Sequence, residues 1–201
     1  MNTHENARTV QSYTSQLEIA LKNIDCFRLA AIAKKIVDLV SEGRQIFLIG
    51  NGGSSSIVEH FYTDLMKTVS QNLDGNEIQW VPKLNVLTGP SSLMFALSND
   101  LNFESIFSWQ IEKYLNEGDC LIAVSSSGNS ANILAAARLA RKKGGTIIGF
   151  CGFEDPELKK FSNLFIHINS NNYGIVEDLH SVSLHAIIQE IISLINKQTS
   201  I

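Results

Sequence analysis

The sequence predicts an α/β fold: a three-layer sandwich with helices on both faces of a five-stranded parallel sheet in flavodoxin-like order, preceded by two extra helices. Three observations predict it. Short apolar runs at 45–50, 83–87, 119–124, 146–150 and 163–168 have the pattern of strands buried on both faces. Stretches of helical periodicity separate most of them, and alternating strand and helix closes into a parallel sheet. Two serine–glycine stretches follow the first and third runs, where the order 2-1-3-4-5 places its ligand crevice.

The elements follow in order. Residues 5–43 read as two helices, with apolar stripes Val10, Tyr13, Leu17, Ala20, Ile24 and then Leu29, Ile32, Ala33, Ile36, Val40. Gly43 ends the second. The α/β core runs over about residues 44–170, and a helical stretch at 55–69 follows its first strand. A closing helix over about 174–197 is apolar nearly all round, with Leu179, Val182, Ile187, Ile188, Ile191, Ile192 and Ile195. Such a helix must be buried in the core or against another subunit. No linker, repeat or composition break divides the chain, and with three prolines in all, residues 1–201 read as one domain.

Composition narrows the function. The chain has 201 residues, 44% apolar and 18% charged, below the roughly 25% charge of ordinary soluble domains. Another copy of the chain is the expected cover for so uncharged a surface. Sixteen Lys+Arg against twenty Asp+Glu give a net charge of −4, which excludes a protein built to hold nucleic acid. The first residues carry neither a basic segment nor an apolar run, so no secretory signal is expected. The longest apolar stretch is broken by Gln189, Glu190 and Ser193, so no membrane span is expected. Cys26, Cys120 and Cys151 are odd in number and far apart, which argues against disulfides and cysteine metal sites. A cytoplasmic location follows as an expectation.

The two serine–glycine stretches are Asn51-Gly52-Gly53-Ser54-Ser55-Ser56 and Ser125-Ser126-Ser127-Gly128-Asn129-Ser130. Each lies where a strand gives way to a helix, so free N–H groups and the helix dipole favour an anion there. The first lacks the third glycine of the dinucleotide fingerprint, and no Gly-x4-Gly-Lys-Ser/Thr exists. Neither holds Lys or Arg, which suits a phosphomonoester that must bind and leave. One such stretch alone would read as turn glycines with Ser54 or Ser130 capping a helix. Two flanking the crevice read as a binding site.

These paired loops resemble those of sugar isomerase (SIS) domains, and the chain is most similar to the phosphoheptose isomerases over about residues 10–195. Ser-Gly-Asn-Ser-Ala-Asn-Ile-Leu in the second loop is the most specific part, joined by His60-Phe61 and by Asn99-Asp100 before Phe103. The resemblance implies a homotetramer with sites between subunits and a phosphorylated sugar substrate. It also implies a divalent metal, usually zinc, held by two His, a Glu and a Gln. Carried over by position, the metal ligands fall on His60, Asp64, Glu177 and His185, with Asp64 replacing the family's Glu and Glu177 its Gln. Phosphate and sugar contacts fall on Asn51, Gly52, Gly53, Ser54, Ser55, Asp100, Ser125, Ser126, Ser127, Asn129 and Ser130. The segment 173–176 is one residue shorter than usual and lacks the family's substrate-contacting Asp.

The residues themselves bear on the metal. His60 and Asp64 lie one helical turn apart on one face. Glu177 and His185 are eight apart, about 12 Å of helix rise, so they meet only if the first turn is irregular or if they come from different subunits. His180 is the local competitor as a ligand. Two His and two carboxylates suit zinc or a harder divalent ion. His167, on a strand without polar company, reads as a core residue.

The activity implied is aldose–ketose isomerisation of sedoheptulose 7-phosphate to a manno-heptose 7-phosphate through an enediol, a step of lipopolysaccharide or capsule heptose biosynthesis. Such a reaction needs a base, an acid and oxyanion stabilisation. The resemblance assigns Asp64 as base and His185 as acid; Glu177, a charge where the family has a neutral amide, is the substitute base. Two other readings compete: an isomerase of another phosphosugar, and a non-catalytic SIS protein that senses a phosphosugar or binds a replication initiator as a tetramer.

Overall fold

The computed structural model describes residues 8–73 and 80–199; the first residues expected in the leading helix, 5–7, lie outside them. Helices α1 (Arg8–Lys22) and α2 (Cys26–Ser41) precede strand β1 (Gln45–Gly50) and helix α3 (Gly52–Thr63). A π-helical turn (Asp64–Thr68) and the short α4 (Val69–Gln71) prolong α3. Then come β2 (Lys83–Val86), α5 (Ser91–Asp100), α6 (Ser105–Tyr114), β3 (Cys120–Ser125) and α7 (Ala131–Lys142). The chain continues through β4 (Thr146–Gly152), α8 (Leu158–Phe161), β5 (Leu164–Ile168) and α9 (Tyr173–Thr199). All five strands pair in parallel in the order β2-β1-β3-β4-β5, the α/β order expected.

Strand alternation builds two cores. Ile46 and Leu48 of β1, with Cys120, Ile122 and Val124 of β3, pack beneath α2, α3 and α9. Phe47, Ile49, Leu121 and Ala123 point the other way, to α6 and α7. Every one of these side chains is fully buried, so both faces of β1 and β3 reject water. At the lower edge, the buried Asp119 carboxylate accepts hydrogen bonds from the backbone N–H groups of Gln45 (2.9 Å) and Asn116 (2.9 Å), tying β1 to β3.

The leading and closing helices differ. Helix α2 starts at an Asp25 cap on the Arg28 N–H and buries Leu29, Ile32, Ala33, Ile36, Val37 and Leu39. Helix α9 sinks Ile175, Leu179, Ile187, Ile188 and Ile191 into the same core, each such side chain contributing about 1.5–3 kcal/mol. Helix α1 buries no residue. Its stripe residues Tyr13, Leu17 and Ala20, and Ile24 just past its end, are half-buried, while Val10 is exposed. The Tyr13 hydroxyl donates to Asp178 of α9 at 2.6 Å, and this bond pushes the phenol pKa up to about 12. No described helix is long and apolar enough to cross a membrane. All three cysteines are free.

Candidate active site

The first serine–glycine stretch is a helix start, not a loop before one. Gly52, Gly53 and Ser54 form the first turn of α3, whose leading N–H groups have no partner within the helix. Asn51 occupies the cap position, yet its side chain makes no capping bond. Instead Asn51 and Asn132, in the first turn of α7, exchange two amide hydrogen bonds of 2.8 and 2.9 Å across the crevice. Asn132 also accepts the N–H of Ile133 and is almost fully buried. Its position in the second motif was visible in the sequence, but its partner was not.

The second stretch is held from within. The Ser125 and Ser130 hydroxyls lie 3.3 Å apart, and Ser125 also accepts the Gly128 N–H. Gly128 has a positive φ of 66°, and a side chain there would run into Pro156, so only glycine serves. Ser127 accepts the Asn129 N–H, and the Asn129 side chain accepts the Glu157 N–H, anchoring the loop to the segment before α8. Ser130 precedes α7 without capping it. The serines are thus not employed as helix caps. A pocket of about 250 Å³ adjoins the first stretch, lined by Asn51, Gly52, Ser55, Met94, Phe95 and Phe103.

A separate cluster joins α3 to α9. His60 Nε2 lies 3.7 Å and His185 Nε2 3.6 Å from Asp64 Oδ2. These separations exceed hydrogen-bond length and approach the edge of a tetrahedron with bonds of about 2.1 Å. The two rings meet edge to face with centroids 5.0 Å apart. The ligand atoms of all three residues lie within 4.8 Å of one another. Two imidazoles and one carboxylate, converging with spacing too wide for direct bonding, fit a divalent cation. Both His side chains are more than half exposed, whereas Asp64 is 14% exposed. The Thr68 hydroxyl donates to Asp64 Oδ1 at 2.8 Å, leaving Oδ2 for the histidines. The π-helical turn starts at Asp64, and such wide turns recur at functional sites. Neither Thr68 nor this turn carried a recognisable sequence signal.

The remaining expected residues lie elsewhere. Helix α9 is continuous from Tyr173, without the irregular first turn that would let Glu177 and His185 share one ion. Within one chain Glu177 instead faces the serine stretches, with Oε1 3.5 Å from Ser126 Oγ. His180 is not a fourth ligand. It is fully buried against Phe150, and neither ring nitrogen has a hydrogen-bond partner of ordinary geometry. Burial lowers its pKa to about 4, with a small opposing effect from the Cys151 backbone. Asp100 ends α5 in the open and accepts from Asn99. His167, read as lacking polar company, has the Phe153 carbonyl 2.7 Å from Nε2.

The architecture can now be set beside known proteins. A family model described as SIS domain matches residues 12–152, more than half of the chain. The chain belongs to the SIS domain family. Among its relatives, a phosphoheptose isomerase of Burkholderia pseudomallei is 33% identical over 164 residues, 80% of each chain. One of Mycobacterium tuberculosis is 31% identical over 163 residues, 80% of this chain and 79% of the relative. The solved structure of a phosphoheptose isomerase from Francisella tularensis superposes with a TM-score of 0.82 at 25% identity, covering 96% of this chain and all of that one. This SIS domain therefore shares sequence and fold with sugar-phosphate isomerases along nearly its whole length.

Proposed function

We propose that this SIS-domain chain isomerises sedoheptulose 7-phosphate to a manno-heptose 7-phosphate. The observation that carries the reading is the convergence of His60, Asp64 and His185 on one point, in a fold that also presents two uncapped, serine-rich helix starts. A binding protein has no use for that convergence.

The phosphate sits against the N–H groups of Gly52, Gly53 and Ser54 and the hydroxyls of Ser55, Ser125, Ser126, Ser127 and Ser130, where helix dipoles favour it. His60, Asp64 and His185 are the residues that would hold a divalent ion, zinc first, which when bound supplies Lewis-acid charge at the carbonyl oxygen. Asp64, oriented by Thr68, moves the proton between C1 and C2, and His185 serves the oxygen as acid. Glu177 lies about 12 Å along α9 from His185. A complete site thus takes Glu177 and His185 from neighbouring copies of a homotetramer. The exposed Val10, Ile19, Phe27 and Val182 support such an assembly, as does the low surface charge. A cytoplasmic enzyme of heptose biosynthesis fits this substrate.

One observation favours a second reading, an isomerase of another phosphosugar: the pocket beside the first serine stretch has an apolar wall of Met94, Phe95 and Phe103. Incubation with sedoheptulose 7-phosphate, followed by NMR for the aldose with and without chelator, separates the two. Aldose that appears with zinc and stops with chelator supports the first reading. No turnover with any divalent metal overturns it. Light scattering checks the assembly, and a monomer in dilute solution removes the shared site.

A further inference from the structure

Glu177 is a carboxylate in an anion's place. Its Oε1 is 3.5 Å from Ser126 Oγ on the second stretch. On the other side the same carboxylate presses on Gly53 in the first turn of α3. A Cβ on Gly53 would stand 2.6 Å from Glu177 Oε2 and 2.8 Å from Oε1. Gly53 is not among the glycines with positive φ, so the backbone does not require glycine there; a side chain at 53 would instead push the Glu177 carboxylate out of its present place. The half-buried side chain therefore bridges the two stretches. Its negative charge faces the start of α3, which has neither a capping side chain nor Lys or Arg. That is where a helix dipole stabilises an anion.

We infer that Glu177 is parked in the phosphate cradle as an internal anion, that the substrate's phosphate displaces it, and that the displaced carboxylate becomes free to serve the sugar end of the site. The inference rests on the reading of the serine stretches as the phosphate site and adds an order of events to it. Two anions cannot share one set of donors, so phosphate entry and the departure of Glu177 are a single exchange. Inorganic phosphate, which brings no sugar for the freed carboxylate to serve, binds against this competition and gains nothing from it. A full substrate gains a positioned carboxylate in return.

The test is a calorimetric titration of inorganic phosphate into the full-length wild type, Glu177→Gln and Asp178→Asn. Gln keeps the shape of Glu and removes the charge. Asp178→Asn removes a charge one residue away, on an exposed side chain bound to Tyr13. Glu177→Gln is expected to bind phosphate about tenfold more tightly or better, a gain of about 1.4 kcal/mol. Asp178→Asn should stay near wild type, and for the sugar phosphate Glu177→Gln should lower KM and kcat together. Equal phosphate affinity in wild type and Glu177→Gln overturns the parked carboxylate while the cradle stands. So does an equal gain in both variants, which marks general repulsion. If none of the three binds phosphate at tens of millimolar, the cradle reading and the inference both fall.

Discussion

The serine cradle and the His60–Asp64–His185 cluster are built on opposite principles. The cradle grows from the ends of β1 and β3, strands buried on both faces, and is locked by the Asn51–Asn132 amide pair and by hydrogen bonds inside the second stretch. The cluster sits on outward faces of α3 and α9, where both imidazoles are largely exposed and only Asp64 is fixed by a neighbour. A binding surface for a constant group such as phosphate can be preformed, because its donors are needed in one place at every turnover. Ligands facing outward stay open to what the proposed function would bring to them, an ion and a second subunit. Helix α9 joins the two regions, carrying Glu177 at the cradle, buried His180 in the middle and His185 at the cluster.

The sharpest break removes the one fixed member of the cluster. Asp64→Asn should lower turnover of sedoheptulose 7-phosphate about 1,000-fold, within the range a general base supplies. Zinc uptake should fall too, while inorganic phosphate binding and thermal melting hold. Loss of phosphate binding as well would mean that the regions are not independent.

The link between the regions is tested through pH. His180 has a native pKa of about 4, below the ordinary 6.5, so the unfolded chain takes up the proton first. The stability it contributes is complete above about pH 6.5 and is lost as pH falls towards 4, by about 3 kcal/mol. Urea unfolding at pH 7 and pH 5 measures this, and His180→Leu should flatten that part of the profile.

A smaller effect probes the cradle's rigidity. Asn132→Ala leaves Asn51 without its partner, which should cost about 2 kcal/mol of stability and weaken phosphate binding about tenfold. KM should rise more than kcat falls. The smallest concerns the least buried helix: Tyr13→Phe deletes one exposed hydrogen bond to Asp178. Amide exchange should quicken in α1 by a factor corresponding to about 1 kcal/mol or less, with β1 and β3 unchanged.

Much of this architecture was legible in the residues. Apolar runs such as 119–124 announce strands buried on both sides, and sheet order followed from where the serine stretches fell. His60 and Asp64 declared their shared face by spacing alone. Helix α3 is less legible, because its sequence periodicity puts the start at Ser55 and not at Gly52. Glycines read as loop residues, yet they are tolerated in a first turn whose N–H groups are free in any case. Asn51 resembles a phosphate contact in the sequence, and its bond to a residue 81 positions away has no local signature. Nor did any local pattern mark the π-helical turn at Asp64.

Local chemistry was enough to specify the α/β class, the strands, the two anion-favouring helix starts and the His60–Asp64 pair, because propensity, periodicity and capping act within a few residues. The partition of the other polar groups needed the folded chain. His185 joins His60 and Asp64, Glu177 turns to Gly53 and Ser126, and His180 is sealed against Phe150, although all three lie on one helix within nine residues. Which neighbour each meets depends on how α9 is rotated and seated on the sheet, and that is set by packing across the whole core.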